Sequence, residues 1–335
     1  MPKPRKELVS LDATSYYHCV SRCVRRAFLC GVDPDGRNYE HRRGWIEQLL
    51  FEQAKVFCIE IAAYAVMSNH FHVVLFIDQT TAKGLSDAEV VARWHQLYQG
   101  THLTQRFAKG ESLSSGELSF LQGTIDEWRE RLMSISWFMR RLNETVARLA
   151  NEEDDCTGHF WEGRFKSQAL LDEKALAACL AYVDLNPVRA AIAETPESSD
   201  YTSVKQRALR ATSAHSPNQP LQQVPGLLPF AGNPREPMPT GIPMRLTDYL
   251  ELLDWTGRQI RDDKRGAIDS AEPPILARLG IDGDDWLHLT QHFETDFNGI
   301  VGAVTSLRSK INLFWHRQHE RRRISGLRAC RLRLA

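Results

Sequence analysis

His70-Phe71-His72 lies inside an apolar run, HFHVVLFID (70–78). In a strand successive side chains alternate between faces, so the two imidazoles share one face while Phe71 enters the opposite layer. Two imidazoles at this spacing can hold one divalent metal ion, although the same triplet also occurs on ordinary surface strands. Tyr182 and Asn186 form a second pair. They are four residues apart in DEKALAACLAYVDLN, which puts both on one helical face. Pro187 follows and predicts a helix stop at Asn186, leaving that side chain free to turn outward. A tyrosine hydroxyl, with an ordinary pKa of about 10, is a poor nucleophile at neutral pH. Beside a divalent cation that polarises a phosphodiester it can attack, and the product is a covalent phosphotyrosine. The plain alternative for Tyr182 is a core aromatic.

Two kinds of element must position these groups. TSYYHCVSRCVRRAFLC (14–30) predicts a strand and a turn, and FCIEIAAYAVM (57–67) and HFHVVLFID predict a hairpin turning at Ser68-Asn69. Helical spacing marks residues 38–56, 125–150 and 174–186. Residues 83–124 are polar and Gly/Ser-rich around one short helical stretch, and read as an insertion. Residues 151–170 read as a loop. Residues 211–243 hold eight of the 15 prolines and read as a linker or wrapping segment. Residues 244–335 read as a helical extension, so the organisation expected is a domain over 1–210, the segment 211–243, and that extension.

The chain has 335 residues, 42% hydrophobic and 25% charged, an ordinary globular composition that excludes a disordered or fibrous protein. No apolar run approaches the roughly 18–20 residues of a membrane span. The N-terminal MPKPRKELVS lacks the apolar stretch of a secretory signal, so no membrane partner and a cytoplasmic location are expected. The seven cysteines show no zinc-type spacing and read as reduced, mostly buried thiols. Net charge is zero, yet residues 301–335 carry nine Lys/Arg against one acid, Glu320. Such a tail suits either phosphate contact or a solvated charged end.

MSNHFHVVL resembles the metal-binding strand of HUH nucleases, in which U is a bulky apolar residue. GHFWEGRFKSQALLDEKALAACLAYVDLNPVRAAI resembles the second half of single-tyrosine HUH transposases, especially the REP-associated tyrosine transposases. YYHCVSR, SSDYTSV and the order of all these segments agree, and the resemblance covers roughly residues 14–205. It implies an α+β fold with a ferredoxin-like or RRM-like central antiparallel sheet and packed helices. It implies His70, His72 and Asn186 as metal ligands, Tyr182 as nucleophile, and Mg²⁺ as the cation, with Mn²⁺ able to substitute. The implied reaction is cleavage and strand transfer of single-stranded DNA at a hairpin, through a 5′-phosphotyrosine and without a nucleotide cofactor, by a monomer or homodimer. Arg22, Arg25, Arg164, Lys166 and Arg189 are the candidate phosphate contacts. Phe160 and Trp161 are read mainly as core and His18 as an ordinary histidine, while His159 stands apart from the other unpaired histidines because it opens the GHFWEGR loop. Two other readings stand beside this one: a hairpin-binding regulator that does not cut, and a replication-initiator or relaxase-type HUH nickase.

Overall fold

The structure, a computed structural model, describes residues 8–24, 29–33, 35–232, 238–260, 273–297 and 299–314. The elements follow in order: β1 (Tyr16–Arg22), α1 (His41–Ala54), β2 (Ile59–Val66), β3 (His70–Ile77), α2 (Gln79–Gly84), α3 (Asp87–His95), α4 (His102–Ala108), α5 (Ser115–Leu132) and α6 (Ile135–Glu153). Then come β4 (Lys166–Leu170), α7 (Glu173–Asp184), α8 (Asn186–Arg189), α9 (Ser203–Ser213), α10 (Leu246–Ile260), α11 (Pro274–Leu279), α12 (Gly283–Asp296), β5 (Ile300–Val301) and α13 (Val304–Lys310). The fold class is α+β, as expected.

The five strands form one sheet in the order β2-β3-β1-β4-β5. β1, the β-branched and aromatic YYHCVSR, lies antiparallel between β3 and β4. Its register sets Val20 opposite His72 and Arg22 opposite His70 on one side, and His18 opposite Gln168 on the other. Directly paired residues point to the same face, so His18, His70, His72, Lys166 and Gln168 share one surface of the sheet. The opposite surface carries Tyr64, Phe71 and Ser21. There Phe51 of α1 meets Tyr64 edge-on at 5.8 Å, and Asn143 of α6 donates to Ser21 Oγ at 2.9 Å. The fully buried Arg42 ties α1 to the end of α6 through Glu153 at 2.7 Å and through Asp154.

Several expectations are corrected here. The single helix expected over 125–150 is two, α5 and α6, because the chain breaks at Met133-Ser134. Ser134 is extended, and the Leu132 carbonyl accepts from Cys58 N–H at 2.9 Å, so a tertiary bond takes an acceptor at the helix end. The stretch read as one short helix in 83–124 holds α3, α4 and the start of α5, each opened by a reciprocal cap: Ser86 with Glu89, Thr101 with Thr104, Ser114 with Glu117. Lys166–Leu170, read as loop, is β4. The helix expected to run to Asn186 ends at Asp184. Asn186 then opens α8 with Pro187 in its first turn, where a missing N–H costs nothing.

The proline-rich stretch wraps the body. Leu227, Leu228, Phe230 and Ile242 are buried, and Leu228 N–H donates to Ile61 O at 2.8 Å. Val66 N–H likewise bonds Tyr201 O, so the outer edge of β2 is covered and its exposed ladder satisfied. At the other edge β5 pairs parallel with β4. Residues beyond 243 therefore add a strand to the sheet and helices to its core.

α7 is buried at nearly every position, which its Ala- and Leu-rich sequence permits. Its last residue, Asp184, is fully buried, and burial pushes its pKa up against the opposing charge of Arg207. Ser203 Oγ donates to Oδ1 and Tyr249 Oη of α10 to Oδ2, each at 2.6 Å. Tyr249→Phe strands one oxygen of this carboxylate in the interior. It is expected to lower the unfolding free energy by about 1–3 kcal/mol, read from urea melts. A loss below the error of the melts would show that Asp184 re-pairs.

Among the described residues no helix is long and apolar enough to cross a membrane.

Candidate active site

β3 presents His70 and His72 on one face, and α7 lies across that face with Tyr182 pointing down. Asp172 sets the start of α7: its carboxylate caps Ala175 N–H at 3.0 Å and also accepts from Ala303 N–H at 2.7 Å. The Tyr182 ring stands 5.6 Å from the His72 ring, nearly perpendicular, and the His70 and His72 rings are 4.8 Å apart. Asn186, one turn on, accepts at Oδ1 from Arg189 at 2.9 Å. Its Nδ2 and the Nε2 of His72 are both buried without a hydrogen-bond partner.

Arg189 lies over the Tyr182 ring, its guanidinium carbon 4.1 Å from the ring centre, and donates to Thr290 O at 2.6 Å. Burial pushes the Tyr182 pKa up to about 12, against the pull of the Arg189 charge. Three groups that sequence reasoning missed complete the site. His18, read as ordinary, places its Nε2 2.9 Å from His72 Nδ1, the two rings stacked at 5.1 Å. Glu294 of α12 accepts from Tyr182 Oη at 3.4 Å and pairs with Lys166 at 3.3 Å. Burial alone would raise the Glu294 pKa, but the nearby cations, Lys166 foremost with Arg22 behind it, together hold the carboxyl below its ordinary value. Phe293, from the same helix, stacks obliquely on Tyr182 at 5.7 Å, and Tyr182 is 7% exposed. The alternation of YYHCVSR hints at His18. Nothing local marks Glu294 or Phe293, whose approach depends on how α12 packs.

The other candidates fall at different distances from this centre. Arg22 is exposed at the end of β1 opposite His70. Lys166 reaches the site through Glu294. Arg164 is exposed on the loop before β4. Arg25 lies outside the described residues, as does the basic tail from residue 315 onward. Phe160 is buried, and Trp161 donates its indole N–H to Asn143 O at 2.8 Å, as a core reading expects.

The donor set fits a divalent cation in part. His72 offers a buried imidazole nitrogen with no partner. His70 Nδ1 bonds Asn69 Oδ1 at 2.6 Å, which leaves its Nε2 as the outer nitrogen. The Asn186 carbonyl has two lone pairs, one of them already used by Arg189. Among the described residues no group of three or more His, Cys, Asp or Glu is placed to hold a metal ion, so a third side-chain ligand would be of another type, and the Asn186 amide is the one that the sequence resemblance implies.

All three imidazoles resist protonation. Burial, helped by the Arg22 charge and opposed by Glu294, pulls the His70 pKa down to about 4. Burial also lowers those of His18 and His72. The unfolded chain takes up protons near pH 6.5 while the folded chain does not. Stability from these groups is therefore complete above about pH 6.5 and lost as pH falls toward 4, with His70 accounting for about 3 kcal/mol. In chelator, His70→Gln is expected to flatten the fall in urea midpoint between about pH 7 and pH 4.5. A slope equal to that of the parent would remove His70 from this balance.

No family model matches the chain, and neither does any curated protein. Among solved structures, that of a REP-associated tyrosine transposase bound to a REP hairpin aligns with 63% of this chain and 87% of its own, at 12% identity and a TM-score of 0.38.

Proposed function

We propose that the protein is a metal-dependent enzyme that nicks and rejoins single-stranded DNA at hairpins through a covalent 5′-phosphotyrosine, in the manner of the single-tyrosine HUH transposases that residues 14–205 resemble. The observation that supports it best is the convergence of two distant motifs: Tyr182, from α7, stands with its ring 5.6 Å from that of His72 in β3. His70, His72 and the Asn186 amide would hold the cation, Mg²⁺ or in its place Mn²⁺. When bound, the cation polarises the scissile phosphate and stabilises the charge that builds on its oxygens.

The chain's own groups handle the nucleophile. Glu294 Oε2, already hydrogen-bonded to Tyr182 Oη, takes the phenolic proton as the Oη–P bond forms. The P–O3′ bond breaks, and the leaving 3′-oxygen takes a proton from solvent to become a free 3′-hydroxyl. Arg189, over the ring, favours the phenolate electrostatically. Lys166 and Arg22 lie at the rim, where phosphates on either side of the scissile bond would pass. The phosphotyrosine conserves the bond energy, so rejoining needs no nucleotide cofactor.

The second reading, a hairpin-binding regulator that does not cut, draws on one observation: Tyr182 is 7% exposed beneath Phe293 and Glu294. One experiment separates the two. The full chain is incubated with end-labelled single-stranded hairpin oligonucleotides and Mg²⁺ or Mn²⁺, then run on denaturing gels. A metal-dependent protein–DNA adduct is expected. Tight hairpin binding with no adduct in either metal would decide for the regulator.

A further inference from the structure

The hydrogen bonds behind His72 have only one consistent polarity. At the far end stands the Phe297 carbonyl, which can only accept. Gln168 Nε2 donates to it, and this fixes the orientation of the Gln168 amide. Its Oε1 therefore faces His18 Nδ1, 2.7 Å away, and His18 must carry its proton on Nδ1. His18 Nε2 is then an acceptor, so the proton shared with His72 across 2.9 Å belongs to His72 Nδ1. A neutral imidazole has one N–H, so His72 Nε2 is left as a bare lone pair. That atom is the buried nitrogen without a partner.

We propose that the Phe297 carbonyl, the Gln168 amide and the His18 imidazole form a polarised relay that locks His72 into its Nδ1–H tautomer and keeps an Nε2 lone pair ready for a divalent cation. His18 and Gln168 are positioning residues, since they act through His72. The proposal deepens the reading of His72 as a metal ligand and rests on it for its purpose, but the tautomer itself does not depend on metal. It also gives the C-terminal region a role at the site: Phe297 directly follows α12, and its carbonyl sets the direction of every bond in the chain. Outer partners of this kind orient a ligating imidazole and raise its basicity, and their loss typically costs about 10–100-fold in metal affinity.

Two measurements on the full-length protein test it. In metal-free protein with ¹⁵N-labelled histidine, long-range ¹H–¹⁵N spectra report which ring nitrogen carries the proton, the His72 signals being assigned by their loss in His72→Gln. A protonated Nδ1 and bare Nε2 are expected, and a proton on Nε2 would overturn the relay without any variant having to fold. Mn²⁺ titration of Gln168→Leu and His18→Gln then tests the coupling. Gln168→Leu removes the acceptor that orders His18, so a mixed His72 tautomer and a loss of about 10–100-fold in Mn²⁺ affinity are expected. His18→Gln keeps an acceptor for His72 Nδ1–H, and affinity within about threefold of the parent is expected. Parental tautomer and affinity in Gln168→Leu would overturn the proposal. If the parent protein shows the locked tautomer but binds no Mn²⁺, the relay stands and the metal reading of the site fails.

Discussion

Tyr182→Phe is expected to abolish the denaturation-resistant DNA adduct while leaving hairpin affinity within about twofold of the parent. The substitution removes one oxygen and its hydrogen bond to Glu294. The ring keeps its packing against Phe293 and its position under Arg189. A phenyl ring cannot form an ester with phosphorus, so any adduct that survives denaturation in the Phe variant assigns the nucleophile to another residue. The hydrogen bond that is lost is long, at 3.4 Å, and the melting temperature should therefore barely move. A large drop in melting temperature together with lost binding would mean that Tyr182 serves the core.

His72→Ala carries the second largest expected effect. It deletes the buried nitrogen held in place behind Tyr182 and leaves His18 Nε2 facing a cavity. Cleavage in Mg²⁺ or Mn²⁺ should fall by at least about a hundredfold, and excess chelator should reproduce that loss in the parent protein. His70→Ala should lose cleavage as well, with a smaller loss of stability because His70, at the start of β3, is only partly buried whereas His72 is fully buried. Full adduct formation by the parent in excess chelator would remove the metal from the mechanism, and with it the role given to both histidines.

Part of this site is legible in the linear chain because its chemistry is local. His70 and His72 share a face through strand alternation, and Asn186 follows Tyr182 by one helical turn, whatever lies around them. The β3 run and the apolar α7 sequence identify their own elements in the same way. Other elements had local signals that periodicity alone does not weigh. The Ser-x-x-Glu boxes at Ser86 and Ser114 mark helix starts inside the polar stretch 83–124, and a proline at Pro187 opens a helix as readily as it stops one. The break between α5 and α6 had no such signal, since the apolar stripe continues past it and the Leu132 carbonyl is claimed by a residue of another element.

His18 is the sharpest case of what the linear order conceals. Its neighbours place it on a strand, but its role comes from the antiparallel register of β1 against both β3 and β4, which sets it between Gln168 and the His72 side of the sheet. Register is a property of paired strands, and a shift of one residue would turn His18 to the opposite layer. Glu294 and Phe293 depend on a still more distant fact, the packing of α12 across α7, which no spacing in the chain encodes. The sequence alone determined that His70 and His72 share a strand face and that Tyr182 lies on a helix, because alternation and helical period follow from backbone geometry, while the class of fold was implied by the family resemblance of residues 14–205. Only the tertiary structure decided which of those residues meet, which nitrogen of His72 is bare, and which carboxylate faces Tyr182, because those outcomes are set by strand register and helix packing between segments far apart in the chain.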